Sequence, residues 1–141
     1  LPLIARDFNL IRWIGANSFR TSHYPYAEEI MDMADEQGIA IIDESPGVSL
    51  DHFTDGLLQN HIKVMQEIID RDKNRACVVM WSVANEPRSQ REEAEDYFKQ
   101  VADFTRQADP SNRPVIAVLN QDVNADKGIT RAKPILYTIF S

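Results

Sequence analysis

Four times along this chain, a stretch with apolar residues every three or four positions gives way to a short apolar run that ends in polar residues. That alternation constrains the fold more than any other feature, because helices alternating with buried strands build a parallel sheet. Ile4, Phe8, Ile11 and Ile14 mark the first helix, which Gly15 stops. Residues 17–23 alternate too strictly for a helix and read as a strand closed by Pro25. A second helix is expected over 26–37, with Glu28 and Glu29 in its first turn and Gly38 as its stop. Residues 39–42, Ile-Ala-Ile-Ile, form an unbroken apolar run followed by Asp43 and Glu44, the pattern of a strand buried on both faces.

Leu58, Ile62, Met65 and Ile69 place a third helix over 57–71, ended by the turn Asp72-Lys73-Asn74. Cys77 to Trp81 is the third strand-like run. Ser89-Gln90-Arg91-Glu92 reads as a capping box opening a fourth helix through Ala94, Tyr97, Val101, Phe104 and Ala108, which Asp109-Pro110 ends. Residues 115–119 supply the fourth strand. Periodicity alone leaves two parallel architectures open, a segment of a barrel and an open doubly wound sheet.

Composition removes several function classes. With 22 acidic against 15 basic side chains and a net charge of −7, the chain has no basic footprint for nucleic acid. No apolar run reaches the ~20 residues that span a bilayer, so no membrane partner is expected. The five glycines, at 15, 38, 47, 56 and 128, never cluster into a phosphate-cradling loop, and no nucleotide cofactor is expected. His23, His52 and His61 are dispersed and Cys77 is the one cysteine, which disfavours a metal site and excludes a disulfide within the chain. Cys77 reads as a buried thiol. The chain begins at Leu1 without signal-peptide features and is expected to be a piece of a longer protein.

Parallel sheets place their chemistry at the carboxyl ends of the strands. Three polar clusters qualify: Arg20-Thr21-Ser22-His23-Tyr24-Pro25, Asp43-Glu44 and Asn85-Glu86-Pro87. A carboxyl group at the rim of an apolar barrel is partly desolvated and holds its proton to higher pH, which suits Glu86 to general acid work. The competing reading makes Glu86 an ordinary residue at the start of a helix, and His23 and Asn85 hydrogen-bonded structural groups. Asp43 and Glu44 fit hydrogen-bonding support better than direct substrate contact. Trp81 fits the core better than a sugar-stacking platform.

Two of these stretches, Trp81-Ser82-Val83-Ala84-Asn85-Glu86-Pro87 and Arg20-Thr21-Ser22-His23-Tyr24-Pro25-Tyr26, resemble motifs of the family 2 glycoside hydrolases, most closely its β-glucuronidase branch. Asp7-Phe8-Asn9-Leu10, the run from Ile42 to Val48, Arg71-Asp72-Lys73-Asn74 and Asp126-Lys127-Gly128 are similar as well, so the resemblance runs from Leu3 to Gly128. It implies an α/β fold, part of a (β/α)₈ TIM barrel from the first helix through the fifth strand, over residues 1–128. It further implies a retaining hydrolysis of β-D-glucuronides with Glu86 as general acid/base and no cofactor or metal. Asn85 would bind the sugar 2-hydroxyl, His23 would touch the ring from the neighbouring strand, and Arg20 would orient a second carboxylate, with Asp43 and Glu44 in support. A glucuronide or glucuronic-acid-terminated glycan is the implied substrate, a homo-oligomer the implied parent and the lysosome the implied compartment.

The family's nucleophile lies near the end of its seventh barrel strand, in a Thr/Ser-Glu-Tyr-Gly-like stretch with no counterpart here, so the isolated chain is expected to be inactive. Its Asn-x-Lys element, which reads the glucuronate carboxylate, is also missing. Residues 129–141 do not resemble the family and read as a divergent tail, expected from a frameshift, retained intron or aberrant splice. Two alternatives stay open: a β-galactosidase or β-mannosidase of the same family, and a truncated, non-enzymatic paralogue whose open sheet edges bind the intact enzyme.

Overall fold

The computed structural model of the chain describes residues 2–119. Within them the order is α1 (Pro2–Trp13), β1 (Ser18–Arg20), α2 (Glu28–Gln37), β2 (Ala40–Glu44), α3 (Asp55–Asp72), β3 (Val78–Asn85), α4 (Glu92–Ala108) and β4 (Val115–Val118). The strands lie side by side in chain order, β1-β2-β3-β4, and every pairing is parallel. A doubly wound sheet reverses its strand order at a switch point, whereas a barrel adds each strand beside the last. The observed order is therefore that of a barrel segment, with all four carboxyl ends on one rim.

Several boundaries differ from those read in the sequence, each for a local reason. β1 is only three residues long; just after it, Thr21 donates its amide to Ile42 O at 3.0 Å and its Oγ1 is bonded to Asp43 and to the Glu44 amide. β2 runs through Asp43 and Glu44, which therefore lie inside the sheet instead of downstream of it. β3 extends to Asn85, with residues 81–85 all buried. α3 begins earlier than expected because the Thr54 side chain caps it, accepting from Leu57 N at 3.2 Å. The capping box at Ser89 does not form. Arg91 is the N-cap of α4 and makes no side-chain cap; its guanidinium is bound to Asp51, and Ser89 N bonds to Pro87 O in a turn.

The core between sheet and helices gathers Phe8, Met31, Ile41, Met65, Ile69, Trp81, Phe98 and Val101. Trp81, completely buried, donates its indole N–H to Asp109 Oδ2 at 3.1 Å. Asp109 also accepts the Ser111 and Arg113 amides, and the Arg113 guanidinium lies 5.6 Å from the Trp81 ring. The residue expected to break α4 thus anchors the turn that leads into β4. Cys77 is buried as expected, and desolvation pushes its thiol up to about 12.

Trp81→Phe keeps most of the buried ring but strands one acceptor of Asp109, and is expected to cost ~1 kcal/mol. Trp81→Ala is expected to cost ~3–5 kcal/mol. Urea denaturation of the complete protein carrying these residues checks the order; equal losses from both variants would contradict the core position of Trp81.

Candidate active site

Successive residues of a strand point to opposite faces, and this separates Asp43 from Glu44. Glu44 lies on the face away from the helices, opposite Ser82, whose hydroxyl donates to Oε2 at 2.7 Å. Arg20 Nη1 lies 3.3 Å from the same oxygen, and His23 Nδ1 lies 3.5 Å from Oε1. Glu44 is itself fully buried, while the Arg20 side chain is 25% exposed and that of His23 is 46% exposed. The guanidinium matches Oε2 of this buried carboxylate, while Oε1, nearest the imidazole, has no hydrogen-bond partner among the described residues.

His23 does not stand on a strand neighbouring β3. It follows β1, which β2 separates from β3, and Glu44 occupies the strand in between. Asp43 faces the helices, accepts the Thr21 hydroxyl at 3.1 Å and is fully buried. The structure therefore brings Arg20, His23 and Glu44 together and places Asp43 on the other side of the sheet.

Asn85 and Glu86 end β3 in a backbone clamped from two sides. Asn85 N donates to Gly47 O and its carbonyl accepts Ser49 N, both at 2.9 Å. Glu86 N donates to Val118 O of β4 at 2.7 Å. Glu86 adopts a positive φ of 49°, a left-handed conformation that costs a non-glycine residue ~1–3 kcal/mol and persists where its surroundings impose it. The exposed side chain lines a cavity of about 280 Å³ with Ser49, Asp51, Pro87, Arg88 and Gln90. Glu86 is exposed among the described residues. Asp51 lines the same cavity, but its carboxylate is committed to Arg91, whose hydrogen bonds hold it down to about 2.

Beneath this clamp lies a polar cluster that the sequence reading left without a role. His61 Nε2 is 2.8 Å from Val83 O, and because a carbonyl only accepts, Nε2 carries the proton. Nδ1 then accepts the Tyr97 hydroxyl at 2.9 Å. Ser45 Oγ donates to the same Val83 O at 2.6 Å, and a side chain on Gly47 would meet that oxygen at 3.0 Å. His61 joins α3, α4 and the end of β3, two residues before Asn85. Its spacing from Leu58 and Met65 on the buried face of α3 is the sequence signal that could have found it. Among the described residues, no group of three or more acidic, His or Cys side chains could hold a metal. No helix among them is long and apolar enough to cross a membrane.

Burial lowers the pKa of His61 below its usual 6.5. The unfolded chain therefore takes up this proton more readily than the folded one. The stability it contributes is complete above pH ~6.5 and is lost as the pH falls through the lowered value. Melting curves from pH 7.5 to 4.5 should show a smaller acid loss in His61→Gln than in the wild type. An equal or larger acid loss in the variant would contradict a neutral His61.

A family model described as glycosyl hydrolases family 2, TIM barrel domain, matches residues 1–140. The β-glucuronidase of Chlorocebus aethiops is 57% identical over 130 residues, covering 90% of this chain and 20% of that protein. The β-glucuronidase of Homo sapiens is 56% identical over the same span. Among solved structures, a β-glucuronidase from an uncultured Clostridium superposes with a TM-score of 0.83 at 50% identity, over 89% of this chain and 23% of that one. The Bifidobacterium dentium β-glucuronidase complexed with coumarin-3-O-glucuronide gives 0.82 at 42% identity, over 88% of this chain and 21% of that one. The chain spans about a fifth of the length of the curated relatives it matches. On this evidence the chain belongs to glycoside hydrolase family 2, as part of its TIM barrel domain.

Proposed function

We propose that the protein carrying these residues hydrolyses β-D-glucuronides with retention, Glu86 serving as general acid and then as general base. The observation that carries the reading is the strained, doubly clamped backbone that presents Glu86 to a cavity at the carboxyl rim of the sheet. Family membership and the β-glucuronidase relatives supply the substrate class.

In the first step Glu86 gives its proton to the glycosidic oxygen as a second carboxylate attacks the anomeric carbon, and the aglycone leaves. In the second step the Glu86 carboxylate takes a proton from water, which attacks the same carbon and releases the enzyme's carboxylate. Asn85 binds the 2-hydroxyl, and His23 binds the sugar ring with its imidazole steadied by Glu44. Arg20 orients the second carboxylate from its place beside Glu44. Neither Asp51, committed to Arg91, nor Glu44, sealed beneath Arg20 and Ser82, is suited to be that nucleophile, which belongs to a part of the protein beyond residues 2–119. A homo-oligomeric parent and a lysosomal site of action belong to the same proposal, and the bacterial origin of solved relatives leaves the compartment independent of family membership.

The complete protein is expected to cleave a chromogenic β-D-glucuronide, with Glu86→Gln lowering kcat by ~10²–10⁴-fold. Matched β-D-galactoside and β-D-mannoside substrates separate the proposal from the other enzymes of the family. Faster turnover of either would reject the glucuronide assignment, and turnover indifferent to Glu86→Gln would reject the acid/base assignment. The isolated 141-residue chain is expected to be inert in the same assay.

A further inference from the structure

Asp43 and Asp72 are both completely buried, one on β2 and one at the end of α3. Thr21 donates to Asp43 Oδ1, but Oδ2 has no donor. The carboxyl group of Asp72, buried like that of Asp43, acts on it both as a hydrogen-bonding group and as a like charge. Both oxygens of Asp72 are already taken: Oδ1 accepts Arg75 Nε and Oδ2 accepts Arg71 Nε, each at 2.8 Å. Two carboxylates cannot hydrogen-bond to one another without a proton, and a bare acceptor in a dry interior is costly.

We propose that Asp43 and Asp72 share one buried proton, Asp43 donating through Oδ2 to an Asp72 carboxylate whose charge Arg71 and Arg75 match, and that this proton positions the rim segment 20–23. The link to the rim is short. Thr21 Oγ1 is hydrogen-bonded to both the Asp43 side chain and the Glu44 amide, so it joins the pair to Arg20 and His23 on either side of it in the chain. Arg71 Nη1 bonds to Tyr26 O at 3.0 Å, and Arg75 reaches Asp32 and Glu28 of α2, so Asp72 also anchors the far end of the β1–α2 loop. Loss of the proton would leave two negative charges face to face and drive Asp43, and Thr21 with it, away from α3.

The groups facing Asp43 are Asp72 and Arg71 from α3 and Thr21 from the β1–α2 loop; on β3 the residue in register is the uncharged Trp81. Desolvation first, and the Asp72 hydrogen bond and charge next, push Asp43 up to about 7. The folded state thus binds this proton more tightly than the unfolded chain, whose aspartate releases it near 3.8. Stability from the pair is complete below the unfolded value and is lost as the pH rises through the folded one. Asp43 and Asp72 are positioning residues; neither reaches the cavity beside Glu86.

The consequence for catalysis rests on the glycosidase reading, but the proton does not, so it is tested without substrate. Infrared spectra of the complete protein at pH 5.5 should contain the C=O stretch of a protonated, aspartate-labelled carboxyl group that disappears by pH 8.5. Asp43→Asn, whose amide can donate to Asp72 and accept from Thr21, should lack this band. The ratio of its kcat/KM at pH 8.5 to that at pH 5.5 should exceed the wild type's, and its melting temperature should fall less between pH 5 and 8. Should that variant not fold, Thr21→Val serves: removing the donor that favours the charged form should move the band's titration midpoint to higher pH. No such band in the wild type, a band that survives Asp43→Asn, or a midpoint unmoved by Thr21→Val would each overturn the shared proton. A protein with the band but no glucuronidase activity would refute the function and leave the proton standing.

Discussion

Two adjacent carboxyl groups on one strand, both sealed from water, are the constraint around which the rest of the described structure is arranged. A buried charge left unmatched costs more than most single contacts return, about 3–5 kcal/mol when a partner is removed. The chain answers that demand on each face of β2 through one oxygen of each group. Toward the helices, Thr21 closes Asp43 Oδ1, and the proposed proton would close Oδ2 against Asp72 with its two arginines. Away from them, Ser82 and Arg20 close Glu44 Oε2, while Oε1, 3.5 Å from His23 Nδ1, has no hydrogen-bond partner among the described residues. Because the strands are parallel and in chain order, both closures lie near the same rim, and satisfying them fixes how β1 approaches β2. The polar groups that bring Arg20 and His23 to the rim are thus also groups the fold needs.

Glu86 is held by a separate device. Backbone hydrogen bonds contributed by the β2–α3 loop and β4 set its backbone geometry. The His61–Tyr97–Ser45 cluster steadies the carbonyl of Val83 just behind it. One end of the rim is organised by matched charge and the other by backbone clamping.

Much of the fold is legible in the sequence because three of the four strands carry a short apolar run between amphipathic helices, and parallel pairing follows from that order. What the pattern could not give were contacts between residues distant in the chain. The Ser89 capping box was locally well formed, yet Arg91 is drawn to Asp51, 40 residues away, and the helix starts after it. Asp43 and Glu44 read as a single polar cluster; the two-residue period of a strand sends them to opposite faces once β2 is seen to include both. His61 was considered only as a metal ligand, although its spacing on α3 marked a buried position. Glu86 is recognisable by its neighbours in sequence, whereas its positive φ, which Ser49, His52 and Asn112 share, is a backbone property that no residue type announces. Residues 129–141 and the motif at Asp126 lie outside the described residues.

In the proposed function, the rim that carries Arg20, His23 and Glu44 also aims Glu86 at the bond to be broken. This aim is tested most directly by a crystal structure of the complete protein with a non-hydrolysable glucuronide bound. The bridging atom that replaces the glycosidic oxygen is expected within ~2.6–3.2 Å of a Glu86 carboxyl oxygen, with the sugar ring against His23 and Asn85. A glucuronide seated elsewhere, with Glu86 turned from the bridging atom and another carboxyl group in its place, would contradict it.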